Sequence, residues 1–444
     1  MATTSAVVAV WFAWTAGGVG ATAVVLAAGS ATWSFRRSYG VACAAVAAVA
    51  VLWCGTSFVR YVAADNGETT SARAATWARD HGFGDVVDRM EAWVYDEPPS
   101  AAPAAGLSVA SVPSTAAPSP VTTSTTMPVP APGGESSTTV STNSSTTTSA
   151  RSEDADPATA SGPPSALAPV VAPALAGEGQ WRAVSQAGGT DAIWVTGIRP
   201  LPAVGGVVAT VVAVDQTHLR AALFNGSELP GGTWRRGDRV PQELWPAWRG
   251  AMNGGFRFEH IRGGYVTEGR TVRPLADGDA TLAIDRDGRV MVGQYGRDLT
   301  DDGTWVSLRQ NLRLMVDDGR SMVLDASTRG VWWGADHGRQ VYVSRSGLCE
   351  LRDGLLAYVL AAPVDAQQFA DVMVAVGCRT GMQLDINGTW PAFDVYAVRD
   401  GALAATRLDD RMSPNERRYA TGSTKEFVAF FDAGQVAAGS VLDG

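Results

Sequence analysis

The chain has 444 residues, of which 46% are hydrophobic and 18% charged, and a formal net charge of −9. That acidic balance, with Arg scattered rather than massed in a stripe, excludes a nucleic-acid footprint. Length alone suggests two or three domains, but the composition is uneven, so each segment needs its own reading.

Residues 1–62 read as a two-helix membrane anchor. No charged residue occurs from Ser5 to Ser30, and a second uncharged stretch, Ser38–Val59, is bounded by Arg37 and Arg60. Each is long enough to cross a hydrocarbon core of about 30 Å as a helix. Trp11, Trp14, Trp33, Tyr39 and Tyr61 suit interfacial positions. The first run lacks the basic start of a cleaved signal peptide. Arg36 and Arg37 put the intervening loop in the cytoplasm by the positive-inside rule, so the remainder faces outward. The expected location is thus the cell membrane, with two spans in the lipid bilayer and an extracytoplasmic C-terminal domain. Cys43 and Cys54 lie in the second run as small apolar residues.

Residues 63–96 form a juxtamembrane helical segment. Ala74, Trp77 and Ala78 make one apolar stripe, Gly82 and Gly84 interrupt it, and Val86, Val87 and Met90 make another. Residues 97–179 are Ser, Thr, Pro and Ala with almost no aromatics, a composition that cannot bury enough apolar surface to order itself. As a coil of roughly 80 residues, this linker would span on the order of 50 Å.

Residues 180–444 have an ordinary globular composition. Strand-like runs recur at Ile193–Ile198, Val207–Val214, Leu219–Phe224, Thr281–Ile284, Val341–Ser344, Leu355–Leu360, Met382–Ile386, Phe393–Val398 and Phe427–Phe431. Asp285–Gly288, Leu351–Gly354 and Val398–Gly401 carry the Asp-Gly signature of hairpin turns. Asp365 and Gln368 make a capping box, Phe369, Val372, Met373 and Val376 fall on one helix face, and Gly377 closes it. The fold class expected is α+β: two transmembrane helices, a disordered linker, and a β-rich mixed-sheet domain with few helices.

No G-x-S-x-G elbow, P-loop or H-E-x-x-H occurs, and the four histidines are scattered, which argues against triad chemistry and zinc hydrolysis. No cofactor signature is found, and metal dependence is left open. Three local features stand out. Asn253-Gly254-Gly255 follows an apolar run; it reads as a tight turn, or as backbone that a sugar or phosphate can approach closely. Arg345 lies in a strand–turn–strand segment, as a solvated strand residue or a fork for phosphate. Asp385 ends a strand at a Gly/Asn loop, as a site carboxylate or the anchor of an Asx-turn with Asn387. Cys349 and Cys378 share this domain, and an extracytoplasmic compartment permits a disulfide between them.

Taken together these features resemble the phosphodiester glycosidase family of N-acetylglucosamine-1-phosphodiester α-N-acetylglucosaminidase and its bacterial, exopolysaccharide-associated relatives. The resemblance spans about Trp181 to Asp432. It consists of the NGGF of Asn253–Phe256, Arg345-x-Gly347 before a hairpin turning at Asp353-Gly354, a helix, Gly377-Cys378, and Leu384-Asp385 followed by a small-residue loop to Gly388. One departure concerns that loop. The family follows its Leu-Asp with consecutive glycines, whereas Ile386 here restricts the backbone that would turn N–H groups toward an anion.

The resemblance implies a hydrolase of glycosyl-1-phosphodiester or related linkages in cell-envelope polysaccharide. Cleaving such a bond requires stabilising an oxocarbenium-like centre and the departing phosphate. Asp385 would serve the sugar centre or an activated water, with Glu350 as a second carboxylate. Arg345 would hold phosphate, while Asn253 and Asn387 orient hydroxyls or phosphate oxygens beside Gly254 and Gly255. Arg411, with Arg417 and Arg418, would supply a basic wall, or lie in a solvated loop. The rival reading is a non-catalytic module that binds cell-surface glycan, favoured by the altered loop after Asp385.

Overall fold

The computed structural model describes residues 10–16, 19–24, 48–49, 51–63, 70–83, 86–87, 89–90, 98–109, 162–323, 333, 342–386 and 388–442. Neither expected transmembrane helix is found among the described residues. Strands β1 (Val10–Ala16) and β2 (Val19–Val24) pair antiparallel, with Trp11 opposite Ala23 and Phe12 opposite Thr22. Hydropathy counts apolar side chains but not their backbone preference. This stretch is rich in Val, Thr and aromatic residues that favour strands, and Gly17-Gly18 disfavours a continuous helix. In the second uncharged run, residues 51–63 are helical and run through Arg60. Among the described residues no helix is long and apolar enough to cross a membrane. Helix α1 (Thr70–Ala78) packs on residues 51–63, with the Trp77 ring edge-on to Phe58 at 5.1 Å and its Nε1 donating to Ser57 Oγ at 3.1 Å.

The C-terminal domain is built from strands β3 (Arg182–Ala187), β4 (Thr190–Ile198), β5 (Val208–Val214), β6 (Leu219–Phe224), β7 (Trp248–Asn253), β8 (Tyr265–Thr267), β9 (Arg270–Arg273), β10 (Ala280–Asp285), β11 (Val290–Gln294), β12 (Trp305–Gln310), β13 (Leu314–Asp317), β14 (Arg320–Ser321), β15 (Val343–Leu351), β16 (Leu356–Val364), β17 (Cys378–Gln383), β18 (Phe393–Arg399), β19 (Ala402–Arg407) and β20 (Phe427–Asp432). Helices α2 (Ala366–Ala375) and α3 (Arg418–Thr421) complete it.

Eight strands form one sheet in the order β14-β13-β17-β15-β16-β5-β4-β3. Two five-stranded sheets run β19-β18-β7-β20-β6 and β11-β10-β12-β8-β9. Every pairing between these strands is antiparallel, which corrects the expected mixed sheet. Continuous apolar runs such as Val208–Val214 suggest parallel strands because both faces are covered. Here the covering comes from sandwich packing. One face of the large sheet (Val212, Leu348, Tyr358, Met382) meets Met252, Phe393 and Phe430 of a five-stranded sheet. Its other face (Val211, Cys349, Val359) is covered by Phe369, Val372 and Met373 of α2.

Helix α2 begins at Asp365 with both halves of a capping box and ends before Gly377. The three Asp-Gly turns join β10 to β11, β15 to β16 and β18 to β19. At the last of them Asp400 and Gly401 both take positive φ, which the tight hairpin requires. A disulfide links Cys349 on β15 to Cys378 at the start of β17.

Two described stretches of the Ser/Thr/Pro-rich region lie on this domain. Gly206 N–H donates to Ser100, Ala104 N–H donates to Gly205, and Val109 bridges to Asp409. On the return, Leu167 N–H donates to the Gly179 carbonyl, and Glu178 forms a buried ion pair of 2.6 Å with Arg199. The remainder, 110–161, lies outside the described residues.

Candidate functional site

The site forms where β7, β17 and β20 end or begin side by side. Asn253 is the last residue of β7, Asp385 lies two residues beyond β17, and Lys425 and Glu426 lead into β20. Asn253 and Asp385 meet through Ser346 on β15. The Asn253 amide donates to Ser346 Oγ at 3.2 Å, Ser346 Oγ donates to the Asp385 carbonyl at 3.0 Å, and the Asp385 N–H donates back to Ser346 Oγ. The Asn253 carbonyl oxygen accepts from Tyr358 OH and Ala392 N–H, each at 3.0 Å. With both ends of its amide engaged, Asn253 fixes the junction between the two sheets.

Asp385 is 5% exposed. Its Oδ1 accepts the Ile386 N–H, and its Oδ2 forms an ion pair with Lys425 Nζ. Lys425 Nζ lies 4.5 Å from the centroid of the Trp390 ring, and the Arg418 guanidinium lies 5.3 Å from the same ring. An indole this close to two cations attracts each through its electron-rich face. Next to Lys425, Glu426 Oε1 accepts from Arg309 Nε at 2.8 Å and from the Gly255 N–H at 3.0 Å. Its second oxygen, Oε2, is buried without a hydrogen-bond partner. Asn311 closes this side, accepting from the Phe256 N–H and donating to the carbonyls of Gln383 and Leu384.

The glycines have a local purpose here. A Cβ on Gly254 would sit 2.5 Å from Glu426 Oε1 and 2.7 Å from the Glu426 carbonyl oxygen. The close approach that the sequence suggested is thus made by this protein's own carboxylate, and Gly254 and Gly255 hold Glu426 in place.

Other expected residues lie elsewhere. Arg345 is buried on the α2 side of the large sheet, donating to the carbonyls of Val364 and Trp333 and to Gln383 Oε1. Strand alternation separates it from Ser346, so it does not join the Asn253–Asp385 cluster. Glu350 stands at the opposite end of β15, opposite Thr380, and pairs with Arg379 at 2.7 Å. It is not a second carboxylate beside Asp385. Arg411 is tied to Asp409 at 2.7 Å, to the Val208 carbonyl and to Thr210, and forms no wall of this site. Arg418, from the same basic run, does reach it. Asn387 lies outside the described residues.

Sequence reasoning missed Lys425, Glu426, Arg309, Asn311, Ser346 and Trp390. The one available signal was the charged pair Lys425-Glu426 directly before a strongly apolar strand, where both are 4% exposed or less. Among the described residues no group of three or more His, Cys, Asp or Glu is placed to hold a metal ion.

Comparison with known proteins gives little. No family model matches the chain, and no curated protein matches it. Among solved structures, the zebrafish N-acetylglucosamine-1-phosphodiester α-N-acetylglucosaminidase catalytic domain, auto-inhibited by its pro-peptide, is 16% identical, with 55% of this chain and 86% of that chain covered at a TM-score of 0.35. A hypothetical protein from Synechocystis is 12% identical over 56% of this chain and 64% of its own, at a TM-score of 0.38. An exported protein from Burkholderia pseudomallei is 12% identical over 52% and 75%, at 0.30. These are similarities of a distant kind, and the functional reading rests on the site itself.

Proposed function

We propose that the β-sandwich domain is a glycosidase that hydrolyses a glycosyl phosphodiester or related linkage in an extracytoplasmic glycan. The observation that carries this reading is a pair of buried carboxylates, each matched by one cation: Asp385 with Lys425 beside the Trp390 ring, and Glu426, next to Lys425 in the chain, with Arg309. Glycoside cleavage uses two carboxyl groups flanking the bond, and a cation lowers the cost of a departing phosphate.

Asp385 would face the anomeric carbon and stabilise its positive charge. A water oxygen bonds to that carbon while the carbon–oxygen bond to phosphate breaks, and the phosphate monoester leaves with the electron pair. The water proton passes to Glu426 Oε2, the carboxylate oxygen that the protein leaves unpartnered. Lys425 would turn from Asp385 toward the phosphate oxygens. The Cys349–Cys378 disulfide supports an oxidising compartment for the domain.

Incubating the full chain with a synthetic glycosyl-1-phosphodiester and measuring released reducing sugar tests the reading. Wild type should turn over, and Asp385→Asn should lower kcat by about 100-fold or more. Unchanged turnover in Asp385→Asn would place the chemistry elsewhere. Co-sedimentation with cell-wall polysaccharide without any release would make the domain a glycan-binding module.

A further inference from the structure

Behind the Lys425–Trp390 wall lies a second set of buried polar groups that the scheme above does not use. Asp394, the second residue of β18, is 1% exposed and has no hydrogen-bond partner on either carboxyl oxygen. The Tyr419 hydroxyl and the Arg418 Nε are likewise buried and unpartnered. Phe393 and Val395, on either side of Asp394, face the sandwich core, so strand alternation turns Asp394 to the outer face of its sheet. Tyr419 packs against that same face, its ring stacked on Phe427 at 4.4 Å. The Arg418 guanidinium bridges the two groups of residues, 5.3 Å from the Trp390 ring and 5.8 Å from the Tyr419 ring.

A native fold hydrogen-bonds nearly all its buried polar atoms, and a carboxyl left without a partner costs free energy. Burial pushes the Asp394 carboxyl well above the usual carboxylate range, with Arg418 opposing, so it tends to hold a proton. Burial raises the Tyr419 hydroxyl as well. The set therefore offers a carboxyl that both donates and accepts, a hydroxyl that does the same, and one N–H donor. Its one fixed charge is the Arg418 guanidinium, whose Nη2 already donates to the Thr389 carbonyl and to Ser413 Oγ. Mixed donors and acceptors match the hydroxyl groups of a neutral polyol, each of which gives one hydrogen bond and accepts others.

We propose that Asp394, Tyr419 and Arg418 Nε form a sugar-hydroxyl subsite adjoining Asp385. This inference rests on the glycosidase reading above for its choice of ligand class, and it makes Asp394 and Tyr419 residues that select the sugar. Arg418 donates to the Thr389 carbonyl, so the half-buried Gly388–Thr389 loop adjoins the subsite and would lie along the ligand's way in.

The test is calorimetric titration of the full chain with free glucose, galactose, mannose and N-acetylglucosamine, together with the hydrolysis assay. Wild type should bind at least one of them, and Asp394→Asn and Tyr419→Phe should each weaken that binding about tenfold, the worth of one good hydrogen bond. Tyr419→Phe should melt at or above the wild-type temperature without ligand, since it removes an unpartnered buried hydroxyl, and Asp394→Asn should stay folded because it exchanges one buried polar group for another of the same shape. Loss of binding together with loss of the fold would assign the groups a structural role and overturn the subsite. So would wild-type affinity in both variants, or the absence of binding to all four sugars. Turnover with unchanged sugar binding in Asp394→Asn sinks the subsite and leaves the glycosidase reading standing. Binding that depends on Asp394 without any turnover does the reverse.

Discussion

The strand pair β15–β17 carries a carboxylate–cation pair at each end, and the two ends are built for different things. At the hairpin end, Glu350 meets Arg379, whose side chain is 53% exposed, beside the Cys349–Cys378 disulfide. At the other end, Asp385 meets Lys425 with both side chains 6% exposed or less. The chemical ingredients are alike, yet water screens one pair and leaves the other. An exposed pair contributes about 0–1 kcal/mol, whereas breaking a buried one strands a charge at a cost of about 3–5 kcal/mol. The contrast is the reason the proposed chemistry is put at the Asp385 end.

The largest effect should come from Lys425→Met, which leaves Asp385 buried without its counter-charge. Stability should fall by about 3–5 kcal/mol, read as a lower urea midpoint, and most of the loss should return in Asp385→Asn/Lys425→Met. Wild-type stability in the single variant would break the contrast outright. Next comes the covalent tie at the hairpin end. Cys349→Ala with Cys378→Ala opens a loop of sequence separation 29 and should lose about 3–4 kcal/mol of stability, with turnover per folded molecule unchanged.

Asp394→Asn sharpens the comparison from the site side. The folded-state acid is held above its unfolded value, so the native chain binds the extra proton, and stability falls as pH rises from about 4 through the folded value. The variant should remove this slope, which is at most about 1.4 kcal/mol per pH unit for one group. Melting curves at several pH values would show parallel wild-type and variant profiles if Asp394 is not buried as a lone acid. The smallest effect belongs to Glu350→Gln, below about 1 kcal/mol and without change in turnover. A large loss of turnover there would restore Glu350 as a site residue.

What the sequence disclosed follows the range of the interactions involved. The capping box at Asp365 and Gln368 and the three Asp-Gly turns depend on residues a few positions apart, and each was legible. Asn253 and Asp385 were legible only as parts of an ordered motif. Lys425 and Glu426 were not legible, because their partners Asp385 and Arg309 lie 40 and 117 residues away in the chain. Arg345 misled for a simple reason: in a strand, a neighbour of a site residue points to the other face. The first N-terminal run misled because apolar composition alone does not separate a helix from a pair of strands.

The docked segment at Ser100–Val109 bears on mechanics. Val109 and Leu167 are both tied to the same folded body, so the chain between them is wired in parallel with the domain rather than in series. A pull applied through the helices at 51–83 would load the contacts of Ser100, Ala104 and Val109 first. A single nick between 110 and 161 should then leave the two fragments co-migrating under native conditions, parting only when those contacts are denatured.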